Sequence, residues 1–128
     1  MPVTWTISHP TRLVVAVAKD EIQASDVEDY LSALSVEGAM PYRQLFDITD
    51  VHKPLAPQDI RQIARKARAY ARVGPVGPLA VVVASDLVLD RAKVFGDVSK
   101  THGTLGVFRE LHDARTWLDT LPAGGESK

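Results

Sequence analysis

Short polar and ionisable side chains at the ends of two apolar runs are the residues of this chain best suited to chemistry. In an open α/β sheet, ligands bind beyond the carboxyl ends of the parallel strands. If the runs at 42–48 and 79–84 are neighbouring parallel strands, these side chains lie near one rim, where Asp47 or His52 could act as an acid or base toward a polar ligand. The six residues at this predicted rim are Asp47, Thr49, Asp50, His52, Ser85 and Asp86.

The same residues have a purely structural interpretation. Asp47 and Asp50 can accept hydrogen bonds from loop amides, and Ser85 and Asp86 can cap the helix that follows them. The sequence favours this second interpretation, because Asp and Ser are the residue types that most often make such local bonds. A ligand site at the rim stays open as the alternative.

Other catalytic and metal-binding patterns are missing from the sequence. Cysteine is absent, which excludes disulfides, thiolate metal sites and a cysteine nucleophile. The four histidines, at positions 9, 52, 102 and 112, occur in no metal-ligand spacing. Glycine-rich phosphate loops and a nucleophile elbow are missing as well. We therefore expect no enzyme activity, no cofactor and no metal.

A row of arginines on one predicted helix is the main local charge feature. These residues recur at i, i+4, i+7 and i+11, while an earlier helix carries Asp26, Glu28 and Asp29. A solvated helix face explains both groups, and an interaction surface for an acidic helix or an anionic headgroup is the alternative. Nucleic acid is not expected, because no aromatics are interleaved and the net charge is −1. The basic stripe consists of Arg61, Arg65, Arg68 and Arg72.

The apolar pattern predicts the sheet that would position these residues. Val3, Trp5 and Ile7 alternate with polar residues, as in a strand with one buried face, and a turn then leads into the continuous apolar run 13–18. We expect these two strands to form an antiparallel hairpin. Later apolar runs supply three further strands, joined by helices that cross over between parallel neighbours. The sequence predicts an α/β fold with a five-stranded mixed sheet and about four helices.

Four segments have helical periodicity. The first begins at a predicted capping box, Ser25-x-x-Glu28, and the second at Pro57, whose missing N–H costs nothing in a first turn. Ser85 or Asp86 caps the third, and Pro122 ends the fourth. The sheet-facing stripes are predicted as Val27, Tyr30, Leu31 and Leu34; Ile60, Ile63, Ala64, Ala67 and Ala71; Val88, Ala92, Phe95 and Val98 or Ser99; and Ala114, Trp117, Leu118 and Leu121.

The length and hydropathy of the chain indicate one domain. At 128 residues it can bury about two-thirds of its unfolded surface around a single core. We assign residues 1–122 to this domain and 123–128 to a disordered polar tail. No run approaches the roughly 20 apolar residues that a bilayer requires, and the N-terminus does not resemble a signal peptide. We expect a cytoplasmic protein without stable membrane insertion.

Three segments resemble the SpoIIAA-like proteins. They are Phe46-Asp-Ile-Thr-Asp-Val51, Val81-Val-Val-Ala-Ser85 and Val107-Phe-Arg-Glu-x-x-Asp-Ala-x-x-Trp-Leu118. That family comprises bacterial relatives of the STAS domains of anti-sigma-factor antagonists and sulfate transporters, and it is also grouped with Sec14-type lipid carriers. The resemblance covers nearly the whole chain and implies the same mixed sheet.

The resemblance departs from the antagonists at their regulatory site. Those proteins are expected to carry an Asp-Ser-Ser-Gly-like motif, with a phosphorylated serine, at the start of the helix after the third strand. The matching residues here are Leu55, Ala56, Pro57 and Gln58, none of which has a hydroxyl. A phosphorylation switch at this place is therefore not expected.

Two functions follow from the sequence. The first is a non-catalytic interaction or regulatory module of the SpoIIAA-like type that binds a protein partner or a second copy of itself through its helical surface. The second, implied by the Sec14 relationship, is a small apolar-ligand or lipid-binding domain. Its pocket would lie under the second or third helix and be lined by Leu89, Phe95 and Val98, which would otherwise be ordinary core residues.

Overall fold

The described part of the chain forms nine elements in the predicted order. The computed structural model describes residues 2–99 and 105–123, without the side chains of residues 97–99. His102 and the side chains of Val98 and Ser99, all named above, lie outside this part of the chain. The elements are β1 (Val3–Ser8), β2 (Leu13–Glu21), α1 (Ala24–Val36), β3 (Arg43–Lys53), α2 (Pro57–Val73), β4 (Leu79–Val82), α3 (Asp86–Ser99), β5 (Leu105–Phe108) and α4 (Leu111–Asp119).

The five strands form one mixed sheet, which confirms the predicted fold class. Their order in the sheet follows the chain, from β1 to β5. β1 and β2 form the expected antiparallel hairpin, in which Trp5 lies opposite Ala16. The three remaining pairs are parallel, so α1, α2 and α3 are crossover helices.

β3 is longer than the apolar run predicts, because it continues through polar residues to Lys53. β2 is extended in the same way, and Lys19 pairs with Asp50 after a break in the regular register. Such irregularities bend a strand and re-aim its side chains. Thr49, Asp50 and His52 therefore belong to the strand, whereas the apolar pattern placed them in the following loop. β4, in contrast, ends at Val82, two residues earlier than predicted.

Helices cover both faces of the sheet. Tyr30, Leu31 and Leu34 of α1 and Ile63 and Ala67 of α2 are buried in one apolar cluster with the even-numbered residues of β2 and with Phe46. α3 packs beside α2 on the same face. α4 lies on the opposite face, where it packs against β3, β4 and β5, and its Ala114 and Leu118 are buried in one cluster with Leu13, Leu45, Ala80 and Val82. We call these the three-helix face and the α4 face.

Two helix ends differ from those predicted. α1 starts earlier than the predicted box, and the carboxylate of Asp26 accepts a hydrogen bond from the Gln23 amide at 2.7 Å. α4 ends at Asp119 with Thr120 as its C-cap, so Leu121 lies beyond the helix. This early end fits the steric rule that residues before a proline avoid helical geometry, since Pro122 follows. The start of α2 at Pro57 is as predicted, and Gly74 is its C-cap.

The C-terminal end of the described chain is packed on the domain. Ala123, which we assigned to the tail, is 4% exposed. Residues 124–128, the rest of the predicted tail, lie outside the described residues. No helix in the described ranges is long and apolar enough to cross a membrane.

Candidate functional site

An apolar cavity lies between the three-helix face of the sheet and the helices that cover it. Its volume is about 130 Å³. β3 and β4 form one wall, α1, α2 and α3 form the opposite wall, and the connections after β2 and β3 line one end. The lining side chains are Ile22, Val27, Tyr30, Leu31, Gln44, Phe46, Ile48, Val51, Pro54, Leu55, Ile60, Ile63, Leu79, Val81, Val88, Arg91, Ala92 and Phe95.

The period-2 and helical patterns of the sequence explain this lining. Along β3, Gln44, Phe46 and Ile48 point to the three-helix face, while Leu45 points to the α4 face. On α3, Val88, Ala92 and Phe95 recur at helical spacing and face the sheet. The cavity is therefore built from the same stripes that the sequence assigns to the core.

A polar pair, Tyr30 and Gln44, interrupts the apolar lining. Gln44 is 4% exposed and Tyr30 is 1% exposed. The Tyr30 hydroxyl donates a hydrogen bond to Oε1 of Gln44 at 3.0 Å. Burial raises the pKa of Tyr30 well above its usual range, so the hydroxyl stays protonated. The hydrogen bonds of the described residues include none from the side-chain nitrogen of Gln44.

The cavity opens toward the carboxyl ends of β2 and β3. It shares Ile22, Pro54 and Leu55 with a more polar depression on the surface, which is lined also by Glu21 and Lys53. These two charged residues form an exposed ion pair at 3.1 Å. We call this end of the cavity its mouth. Ligands of open α/β sheets bind at this end of the strands.

Arg91 ties α3 to the mouth. Its Nε donates a hydrogen bond to the carbonyl oxygen of Leu55 at 2.9 Å. Among the described residues that line the cavity, Arg91 is the one with a cationic side chain. Positive charge therefore lies near the mouth and away from Gln44, which is at the opposite end of β3.

The six predicted rim residues do not line this cavity; Asp47 and Ser85 make local hydrogen bonds, and Asp86 pairs with a residue distant in the sequence. Oδ1 of Asp47 accepts hydrogen bonds from the amide and hydroxyl of Thr49, at 3.0 and 2.7 Å. Oγ of Ser85 accepts from the amide of Val88 at 3.2 Å, which caps α3. Asp86 forms an ion pair with Arg109.

The remaining rim residues are not gathered into a constellation. Asp50 and His52 are exposed near the end of strand β3. Within the described ranges, no three His, Asp or Glu side chains lie close enough together to hold a metal ion. The geometry at the rim therefore offers local hydrogen bonds and one ion pair.

The pocket predicted from the sequence overlaps the cavity in part. Phe95 lines it, whereas Leu89 packs against the separate cluster formed by Val81, Val83 and Val88. Sequence reasoning did not single out Tyr30 or Gln44 for this site. A signal was present, because Gln44 is a polar residue inside the buried run 42–48 on the side that faces the helices.

The basic stripe lies along the outer side of α2. Arg61, Arg65, Arg68 and Arg72 are all exposed. None of them takes part in the hydrogen bonds or ion pairs found among the described residues. α2 contacts α1 beside the stripe, where Nε2 of Gln62 donates to Oε1 of Glu28 at 3.3 Å. The acidic residues of α1 therefore leave the arginines available to other groups.

Comparison with known proteins gives a fold assignment. No family model and no curated protein matches the chain. Among solved structures, the chain is similar to the crystal structure of an uncharacterized protein of the DUF3478 family, with a SpoIIAA-like fold, from Shewanella loihica PV-4. The TM-score is 0.60 and the sequence identity is 19%, over 91% of this chain and 93% of that one. The chain therefore has a SpoIIAA-like fold, as the sequence resemblance implied.

Proposed function

We propose that this domain binds one small apolar molecule in the cavity on its three-helix face. The observation that supports the proposal is the cavity itself, whose lining is apolar apart from Tyr30, Gln44 and Arg91. Side chains that face open space lack partner atoms on that side and lose the dispersion contacts that those atoms would supply. A ligand that fills it recovers the lost contacts.

The volume limits the ligand to a small molecule. An engineered cavity of about 150 Å³ with a Leu, Ile and Phe lining stays dry and binds benzene. The present cavity, at about 130 Å³, is of that size. A single aromatic ring or a short acyl chain fits this volume, whereas a two-chain lipid does not. The mouth at the carboxyl ends of β2 and β3 provides the route of entry.

The test is a titration with α-methylstyrene, a small aromatic alkene without polar atoms, followed by amide chemical shifts. We expect saturable changes at the residues of α1, β3 and α3 that line the cavity. Ala92→Leu places three extra carbons in the cavity and should weaken binding at least tenfold. Ala69→Leu makes the same change on the exposed side of α2 and should leave binding unchanged. Shifts that do not saturate, or that survive Ala92→Leu, would contradict the proposal.

A specific observation favours a second, also non-catalytic, function. Four exposed arginines lie in one row on α2 without ion pairs among the described residues. We propose that this basic stripe binds an acidic segment of a protein partner, as an interaction module would. Arginine is suited to this role, because its planar fork of donors matches a carboxylate.

This second function is tested with a poly-glutamate peptide. Binding should weaken as salt is raised toward about 1 M, where the Debye length falls to about 3 Å. Arg65→Gln combined with Arg68→Gln should reduce the affinity severalfold. Arg109→Gln combined with Arg115→Gln, which removes two exposed arginines away from α2, is the matched control. Equal losses in both variants would assign the binding to net charge and not to the stripe. Native mass spectrometry of the same samples would reveal self-association.

A further inference from the structure

The side-chain amide of Gln44 has donors that face an apolar space. Gln44 is 4% exposed, and its Oε1 is held by the Tyr30 hydroxyl at 3.0 Å. The amide nitrogen carries two further N–H donors, which no hydrogen bond among the described residues engages. Nε2 is not one of the described buried atoms that lack a partner, so a small part of it is accessible within the 4% exposure of the residue. Gln44 lines the cavity, so this donor can be reached by a molecule inside it. A bound molecule could supply the missing acceptor.

We propose that the ligand carries one neutral acceptor oxygen, such as the carbonyl of a ketone, aldehyde or ester, which accepts a hydrogen bond from Nε2 of Gln44. This inference rests on the proposed function, since it concerns the same cavity. The rest of the ligand is apolar and lies against Phe46, Ile48 and the side chains of α3. The carbonyl end enters first, because Gln44 lies at the end of β3 opposite to the mouth.

The charges around the cavity argue against an anionic head group at this position. Tyr30 is protonated, and Gln44 is neutral. The cationic side chain among the described lining residues is Arg91, which is tied to Leu55 at the mouth. A carboxylate beside Gln44 would be buried without a counter-charge, which is unfavourable. A neutral carbonyl needs only a donor, and Gln44 provides one.

Acetophenone and α-methylstyrene form a matched pair of probes for this test. They have nearly the same shape and differ in a C=O against a C=CH2 group. We expect the wild-type protein to bind both probes. Gln44→Met removes the donor and keeps an apolar chain of similar length, so it should raise the dissociation constant of the ketone about tenfold relative to that of the alkene. The ratio of the ketone and alkene dissociation constants is compared between the wild-type protein and Gln44→Met. The different hydration of the free probes is the same in both proteins and cancels.

The outcomes separate this inference from the proposed function. If both probes bind but Gln44→Met leaves their ratio unchanged, the carbonyl assignment is overturned and the cavity still binds apolar molecules. If neither probe binds the wild-type protein, both proposals fall. If Gln44→Met does not fold, the carbonyl ¹³C shift of labelled acetophenone bound to the wild-type protein decides. A shift toward its value in a hydrogen-bonding solvent supports the inference, and its value in a hydrocarbon overturns it.

Discussion

The two faces of the sheet are packed in different ways. On the α4 face, Ala114 and Leu118 are 0% exposed and contact Leu45, Ala80 and Val82 directly. On the three-helix face, aromatic rings stand between the sheet and the helices, and Tyr30 meets Phe46 edge to face with centroids 5.2 Å apart. Rigid rings hold the layers apart, which is consistent with the space beside them. The α4 face also has an aromatic pair, Trp117 and Phe108, with centroids 5.4 Å apart, but it packs at the side of the buried cluster. The short α4 fills its interface, whereas the three longer helices leave a cavity.

The largest effect is expected on the filled face. Leu118→Ala removes a fully buried side chain from a site where its neighbours already touch, so the free energy of unfolding should fall by about 3 kcal/mol. Urea unfolding measures this change in the free energy of unfolding. Leu111→Ala makes the same change on the same helix at a side chain that is 49% exposed, and it should cost about 0.5 kcal/mol or less. A loss below about 1 kcal/mol for Leu118→Ala would mean that the α4 face is not tightly packed.

A matched pair of enlargements compares the two faces directly. Ala114→Leu adds three carbons at a filled position and should destabilise the protein by about 1–3 kcal/mol through overpacking. Ala92→Leu adds the same atoms beside the cavity, where there is room for them. It should be neutral or stabilising by up to about 1 kcal/mol, because it buries apolar surface without strain. Thermal unfolding measures the stability of both variants. Equal losses of stability would contradict the proposed difference in packing between the two faces.

The sequence predicted the framework well and the cavity poorly, for a physical reason. Alternation at Val3, Trp5 and Ile7 and the helical spacing of Tyr30, Leu31 and Leu34 depend only on which side of an element is buried. A cavity depends on how far apart two packed layers lie. Phe95 has the same spacing whether it fills the core or lines a space, so its pattern could not distinguish the two roles. The available sign of the cavity was Gln44, a polar residue within a buried strand.

At the rim, Asp47 and Ser85 make hydrogen bonds to residues close to them in the sequence. Asp47 and Ser85 bond to amides two and three residues away, as the structural interpretation of their residue types had suggested. The extension of β3 to Lys53 was missed, because its last residues are polar and pair with equally polar residues of β2. Apolar periodicity carries no information about such a segment.

The burial of Tyr30 on the cavity side should make the free energy of unfolding fall at alkaline pH. The pKa of Tyr30 is raised by burial, so above about pH 10 the unfolded chain loses this proton while the folded chain retains it. The stabilising contribution is complete below pH 10, and the free energy of unfolding should then fall by up to about 1.4 kcal/mol per pH unit. Tyr30→Phe should flatten this slope, and the other tyrosines are common to both proteins. Equal slopes in the two proteins would mean that Tyr30 ionises in the folded state.

The smallest effect is expected at the rim, where α3 begins. Asp86 at the start of α3 pairs with Arg109 at the end of β5, but its side chain is 92% exposed. Exposed ion pairs contribute at most about 1 kcal/mol, because water screens the charges. Asp86→Asn alone also removes a charge that interacts with the helix dipole, so a double-mutant cycle with Arg109→Gln is required.

The cycle isolates the energy of the pair from that of the dipole. We expect a coupling energy below about 0.5 kcal/mol, because little desolvation strengthens the attraction. A coupling above about 1 kcal/mol would indicate that the rim clamps α3 in place. The width of the cavity would then depend on this ion pair as well as on the aromatic rings, and Asp86→Asn should alter α-methylstyrene binding without touching the lining.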